Sequence, residues 1–179
     1  MTADWSPLWL SLRVALVVSA LALVIAPWPA WWLVRRNWPG IALLARFLSM
    51  TPAVIVAALA APRFGWQVAV AAGLVRAIPY TLDKCRAAFA AFASLDPGYA
   101  KAARMAGASD WRIFRAVALP LCGGAALGAA ADVLAETLLE MAVALWLLGR
   151  LSAAPGGAIV LTALAASALG FWLRREGGR

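Results

Sequence analysis

Residues 14–34 read VALVVSALALVIAPWPAWWLV, twenty-one consecutive positions without a charge. The hydrocarbon core of a bilayer takes about 20 apolar residues of α-helix, so this stretch alone predicts a membrane span. The apolar run begins near Leu8. The spacing predicts one long helix over 8–34, with Pro27 and Pro29 as the places where it would bend. Trp28, Trp31, Trp32 and Trp38 gather near its far end, where amphipathic rings favour the headgroup layer. Arg35 and Arg36 stop it. The run is too long for a cleaved signal peptide, and no charged segment leads it.

Working outward, the composition agrees. Of 179 residues, 65% are hydrophobic and 13% charged, and the mean hydropathy is +0.85. A soluble domain is about half apolar and about a quarter charged, and disorder requires low hydrophobicity. The absence of histidine excludes imidazole catalysis and His-ligated metal sites. Cys85 and Cys122 are far apart in sequence and form no ligand cluster. Lys84 and Lys101, the two lysines, lack the glycine spacing of a P-loop. No catalytic residue, metal or cofactor is expected in this chain; if ATP and Mg drive it, they sit on another subunit.

Four further apolar segments follow. The second expected span covers about 41–61, interrupted by Arg46 and followed by a turn over 62–66. The third covers about 66–83, with Arg76 and Pro79 inside it. The fourth runs over about 120–148 and the fifth over about 158–173. Residues 84–115 carry Lys84, Arg86, Lys101, Arg104, Arg112 and Arg115 with no long charge-free run, which predicts a connection, about 84–118, between spans three and four. The whole of 1–179 reads as a single all-α transmembrane domain of about five spans. Five spans put the termini on opposite sides. With the 84–115 segment in the cytoplasm, eleven basic residues fall on that side and only Arg63 and Arg150 on the other. That bias orients the chain N-out, C-in. The net charge of +8 is therefore mostly topological, and a nucleic-acid partner is not expected.

The connection has its own punctuation. Asp96 suits an N-cap and Pro97 the first helical position, predicting a helix to about Ala106. Gly107 suits the left-handed position after it. Ser109 can cap a second helix that ends before Pro120. Trp111, Ile113, Phe114 and Val117 give this two-helix knob an apolar surface, and Arg104, Arg112 and Arg115 give it charge. Basic amphipathic segments also lie on membrane surfaces, and the residues by themselves leave both readings open.

The stretch Lys101-Ala102-Ala103, three residues, Gly107, nine residues, Val117-Ala118-Leu119-Pro120 resembles the EAA loop of binding-protein-dependent type I ABC importer permeases. That pattern is Glu-Ala-Ala, three, Gly, nine, Ile, one, Leu-Pro. Pro79-Tyr80, Leu95-Asp96-Pro97 and the phrase GASDWRIFRAVALP over 107–120 resemble the same permeases. The resemblance is clearest over about 74–120. It implies a multi-pass protein of a prokaryotic inner membrane, with a second permease subunit (identical or not), an extracytoplasmic substrate-binding protein and a cytoplasmic ABC ATPase as partners. It also implies that the ATPase engages the knob through Lys101, Ala102, Ala103, Arg104, Gly107, Ala108, Ser109, Trp111, Arg112, Phe114, Leu119 and Pro120. Lys101 departs from the family, which favours Glu there, and reverses a charge on that surface.

Ionisable residues inside spans are costly and usually face the protein interior. Asp132, Glu136 and Glu140 recur every fourth residue and form one stripe on a helix. Arg13, Arg46 and Arg76 lie on three other spans. By depth, Asp132 matches Arg76 and Glu140 matches Arg13. The six could hold the bundle as buried pairs or line the pathway. An acidic stripe on the pathway would oppose an anion, so unless the arginines cancel it, it tilts the cargo toward cationic or neutral. Parts of the chain resemble molybdate, tungstate and sulfate permeases, and the same core resembles thiamine, polyamine and iron permeases. Gly124 and Gly128 form a small-xxx-small pair, suited to close packing within one chain or between subunits. A non-energised helical channel or assembly factor is the alternative function, and such a protein has no need of a capped two-helix peg. A membrane-integral enzyme lacks the residues for a convergent site.

Overall fold

The structure is a computed structural model that describes residues 5–36, 39–49, 66–95, 97–147 and 153–176. All the regular elements among them are helical: α1 (Ser6–Ile25), α2 (Pro27–Arg36), α3 (Pro39–Ser49), α4 (Trp66–Leu95), α5 (Pro97–Met105), α6 (Asp110–Ile113), a π-helical turn (Phe114–Ala118), α7 (Leu119–Leu121), α8 (Gly123–Leu147) and α9 (Ala153–Glu176). Several sequence expectations fall outside the described residues: the 50–61 half of the second span, the turn with Arg63, Trp38, Asp96 as an N-cap, Arg150 and Arg179, and the side chains of Arg46 and Arg174.

By length and apolarity, two of the described helices can cross a membrane, Ser6–Arg36 and Pro155–Leu173. A third is added if Asp110–Ala118 and Gly123–Leu147, which meet at 79°, are one bent span. Ser6–Arg36 runs on through both prolines. Ala26 donates to the Ala22 carbonyl at 3.0 Å and Ala30 to the Ala26 carbonyl at 3.1 Å, so the bond that Pro27 cannot make is lost without ending the helix. Thirty-one residues span ~46 Å, well beyond a hydrocarbon core of ~30 Å. The surplus is available to α2 as a projection past the core.

α4 behaves in the same way and changes the expected boundaries. The predicted connection starting at 84 is helical through Leu95. Residues 87–95, AAFAAFASL, are rich in strong helix formers. Cys85 and Phe89, one turn apart, are both buried, so the extension has a face to bury. Pro79 is accommodated inside the helix.

The bundle centres on α1 and α8. Val14, Val18 and Ala22 of α1 pack against Ala69, Val70 and Ala77 of α4 and Val133, Met141 and Ala144 of α8. Ala15 on the other side of α1 joins Ala135, Leu138 and Ala142 of α8 to Ile159, Ala163 and Ala166 of α9. Two hydroxyls in these spans are satisfied by their own helices: Ser11 donates to the Pro7 carbonyl at 2.8 Å and Thr162 to the Ala158 carbonyl at 2.8 Å. Gly128 is buried in α8, and its carbonyl lies 3.0 Å from where a side chain on Gly170 of α9 would begin. Gly128 therefore serves close packing within this chain.

Candidate functional site

The knob is built from two capped ends. α5 closes in a Schellman motif: Gly107 N–H donates to the Arg104 carbonyl at 2.9 Å, and Ala108 N–H donates to the Ala103 carbonyl at 3.0 Å. Gly107 has φ +81°, in the left-handed region that suits glycine. Ser109 then caps α6, its hydroxyl accepting from the Arg112 N–H at 3.3 Å. Both turn assignments made from the sequence hold. The expected end of the second helix before Pro120 does not. The chain stays helical by widening into the π turn, where Leu119 N–H reaches back to the Phe114 carbonyl. A proline ring clashes with the carbonyl four residues earlier, and the widened turn moves that carbonyl aside. The break comes two residues later, at Cys122 (φ −98°, ψ 5°).

Part of the knob's apolar face is spent on its own bundle, while Trp111 and Met105 remain exposed. Ile113, Phe114 and Ala118 are buried together with Ala30 and Trp31 of α2, Cys85 and Phe89 of α4, and Cys122 and Ala126. Phe114 sits at the centre, with ring centroids 5.0 Å from Trp28, 6.4 Å from Trp31, 6.1 Å from Phe89 and 5.5 Å from Trp111. Trp28 also meets Trp111 edge-on at 4.9 Å, and Trp31 meets Phe89 at 5.5 Å. Such pairs contribute about 0.5–1.5 kcal/mol each beyond area burial. This corrects the reading of the tryptophans as one headgroup belt. Trp31 is 3% exposed and anchors the knob, whereas Trp32, stacked by Arg36 at 4.2 Å, remains exposed as a belt residue would. The two cysteines, distant in sequence, meet in this cluster, and burial pushes the Cys85 thiol up to about 12.

Charge completes the attachment. One carboxylate oxygen of Asp110 lies 2.6 Å from Arg35 Nη1 of α2 and 3.4 Å from Arg104 Nε of α5. Lys101, Ala102, Arg104, Arg112 and Arg115 are exposed, while Ala103, Ala108 and Leu119 are partly buried against the cluster.

The second constellation lies within the bundle. Arg76 of α4 bridges Glu136 and Glu140 of α8 with separate guanidinium nitrogens. Tyr80, one turn further along α4, donates to Asp132 at 3.1 Å. The depth match of Glu140 with Arg13 is corrected. Glu140 pairs with Arg76 in place of Arg13, and Asp132, matched by depth with Arg76, accepts a hydrogen bond from Tyr80. Helical side chains tilt toward their own N-terminus. The two helices are antiparallel here, so that tilt carries the long Arg76 side chain toward the C-terminal part of α8. Arg13 lies instead with its guanidinium 5.7 Å from the Trp66 ring centroid. The role of Tyr80 was missed, although 76 and 80 share a face at the same spacing as 132, 136 and 140. Gly170 was missed too. A side chain there would begin 2.9 Å from an Asp132 oxygen, so α9 presses its backbone against this cluster.

A family model described as a binding-protein-dependent transport system inner membrane component matches residues 8–173. The molybdenum transport system permease protein ModB of Escherichia coli (strain K12) is 30% identical over 141 residues, covering 66% of this chain and 60% of that protein. The ModB protein of Escherichia coli O157:H7 matches to the same extent. The chain thus spans about 60% of the length of these curated relatives. No solved structure matches.

Proposed function

Because the chain belongs to the family of binding-protein-dependent transport system inner membrane components, the permeases of type I ABC importers, we propose that it forms the translocation pathway of an ATP-driven importer. In this reading it crosses a prokaryotic inner membrane five times, N-out and C-in. It works with a second permease subunit, an extracytoplasmic binding protein and a separate ATPase that carries ATP and Mg. The ATPase engages the 101–120 segment. The observation that carries this is the doubly capped knob, with the Gly107 Schellman turn and the Ser109 cap. Ile113 and Phe114 are packed inward, while Trp111 and Met105 stand exposed beside Arg104, Arg112 and Arg115; a compact capped peg with a mixed apolar and basic outer surface suits a protein cleft. Lys101 calls for an acidic partner residue in the ATPase cleft.

The test is co-purification with the importer's ATPase subunit expressed together with this chain. Gly107→Trp, or deletion of 101–115, is expected to abolish recovery of the ATPase while the permease remains in the membrane. Full recovery with the deletion would rule the docking site out.

Arg76 offsets part of the acidic stripe by holding two of its three carboxylates. The electrostatic objection to an anionic cargo is correspondingly reduced. Together with the similarity to ModB, this favours an oxyanion of the molybdate, tungstate or sulfate class. Competition of molybdate uptake by excess tungstate and sulfate, and not by a polyamine, is the expected result. Displacement by the polyamine alone would reverse the assignment.

A further inference from the structure

The 79° bend between the knob and α8 leaves a groove between the knob and the spans. Val24 of α1 and Trp28 of α2 form one wall, Trp111 and Leu119 of the knob another, and Gly123 and Leu127 of α8 the third. Its volume is about 430 Å³, within the range of clefts that hold small organic ligands. The chain does not fill it from within. Gly123 has no heavy atom within 4 Å of where a side chain would begin. The groove also opens sideways, since Val24 is 78% and Leu127 47% exposed. Both residues belong to spans, so lipid tails are the surrounding medium at their depth. At the knob end Trp28 and Trp111 meet edge-on at 4.9 Å, as amphipathic rings do at the headgroup level.

Apolarity alone cannot select an occupant here. Lipid tails are as apolar as the groove walls, so moving a tail from bilayer to groove gains no hydrophobic free energy. Selection has to come from the headgroup, and Arg115 is placed to supply it. Trp111, Arg115 and Leu119 recur every fourth residue along the knob helix, and the first and last of them line the groove. Arg115 is exposed. It has no ion-pair partner among the described residues, whereas Arg35 and Arg104 share Asp110. We propose that the groove holds one tail of an anionic phospholipid of the cytoplasmic leaflet, and that Arg115 binds its phosphate. This rests on the proposed membrane orientation and is independent of ATPase docking. A guanidinium presents paired donors to phosphate oxygens, and the anionic lipids of that leaflet are drawn to basic residues at its surface. A tail seated there touches α1, the knob and α8 at once.

The experiment titrates the delipidated full chain in detergent and reads bound species by native mass spectrometry. The probes are phosphatidylglycerol and phosphatidylethanolamine with identical tails, and glycerol phosphate, which has the phosphate without a tail. One phosphatidylglycerol per chain is expected to bind ahead of phosphatidylethanolamine by roughly fivefold, the effect of one arginine at a membrane surface. Glycerol phosphate is expected not to bind. Arg115→Gln should erase the preference without weakening phosphatidylethanolamine, and Arg115→Lys should keep it. Arg175→Gln removes another exposed arginine and should leave the preference intact. Gly123→Leu places a side chain in the groove and should lower occupancy by both lipids. Circular dichroism and elution volume check that each variant folds. Equal binding of the two lipids by the wild type would overturn the proposal, as would a preference that survives Arg115→Gln or is lost equally in Arg175→Gln. Glycerol phosphate binding as tightly as the lipid would reduce the site to an anion site with no tail. If Gly123→Leu leaves lipid occupancy unchanged but abolishes self-association or ATPase recovery, the groove belongs to a protein partner and the lipid assignment fails. The titration contains no ATPase, so failure of the docking reading would leave its outcome untouched.

Discussion

Arg76 holds two carboxylates inside a span, and its loss is not equivalent to the loss of either partner. Arg76→Met would leave Glu136 and Glu140 facing each other in a low-dielectric surrounding. Removing one partner of a fully buried pair costs about 3–5 kcal/mol, and this part-buried cluster should lose less than that. Glu136→Gln leaves Arg76 with Glu140, and Glu136 is the more exposed of the two acids, so the expected cost is smaller. Thermal unfolding in detergent checks the order; a larger loss for Glu136→Gln would mean that Arg76 is not the hub. At Gly170 the limit is space. A Cβ there meets Asp132 Oδ1 at 2.9 Å and the Gly128 carbonyl at 3.0 Å. Gly170→Ala should therefore destabilise by about 1–3 kcal/mol, the usual range for overpacking. Gly107 is the reverse case. Nothing lies within 4 Å of its missing side chain, and only the φ of +81° opposes one. Gly107→Asn should be tolerated better than Gly107→Val, because asparagine visits the left-handed region and a β-branched residue does not. Equal expression and melting temperature for those two variants would remove the role assigned to the turn.

At the scale of elements, local punctuation was legible and long-range attachment was not. Gly107 and Ser109 announce their turns because the chemistry is contained within a few residues. Arg76, Glu136 and Glu140 were recognised as an intramembrane charge set, but their pairing depends on the antiparallel register of α4 and α8 and on side-chain tilt, which no single helix contains. The end of α4 was misread because charge at Lys84 and Arg86 masks the continuing face made by Cys85 and Phe89. Trp31 was assigned to a membrane belt because its partners, Phe89 and Phe114, lie more than fifty residues away. That buried attachment makes a reporter of Cys85. The thiol is 1% exposed, and a pKa raised to about 12 by burial keeps it protonated and unreactive. Alkylation by a small maleimide at pH 7–8 should be slow in the native protein. Phe114→Ala, which empties the centre of the cluster, should speed it manyfold while far-ultraviolet circular dichroism stays unchanged. Rapid labelling of the wild type would show that the knob does not cover α4.

Across the whole molecule, the first helix sets where everything else must lie. Arg35, near its end, is 2.6 Å from Asp110 in the knob, and thirty-one residues of continuous helix separate the two ends of that span. A helix of ~46 Å that crosses a hydrocarbon core of ~30 Å must put Trp5 and the knob on opposite faces of the membrane. In the proposed N-out, C-in orientation, which follows the positive-inside bias, the basic knob lies in the cytoplasm. Single cysteines in a background with Cys85 and Cys122 replaced by alanine test both statements at once. A membrane-impermeant thiol reagent applied from the extracytoplasmic side should label Trp5→Cys, which precedes α1 and is 44% exposed. Ala102→Cys should stay protected until the membrane is permeabilised. Labelling of both from outside would deny that the first helix crosses the bilayer. Labelling of Ala102→Cys alone would keep the crossing and reverse the orientation, moving the knob to a side where no cytoplasmic ATPase can reach it. The predicted pattern, Trp5→Cys outside and Ala102→Cys inside, is the arrangement in which α2, α4 and the knob together project toward the compartment that holds ATP.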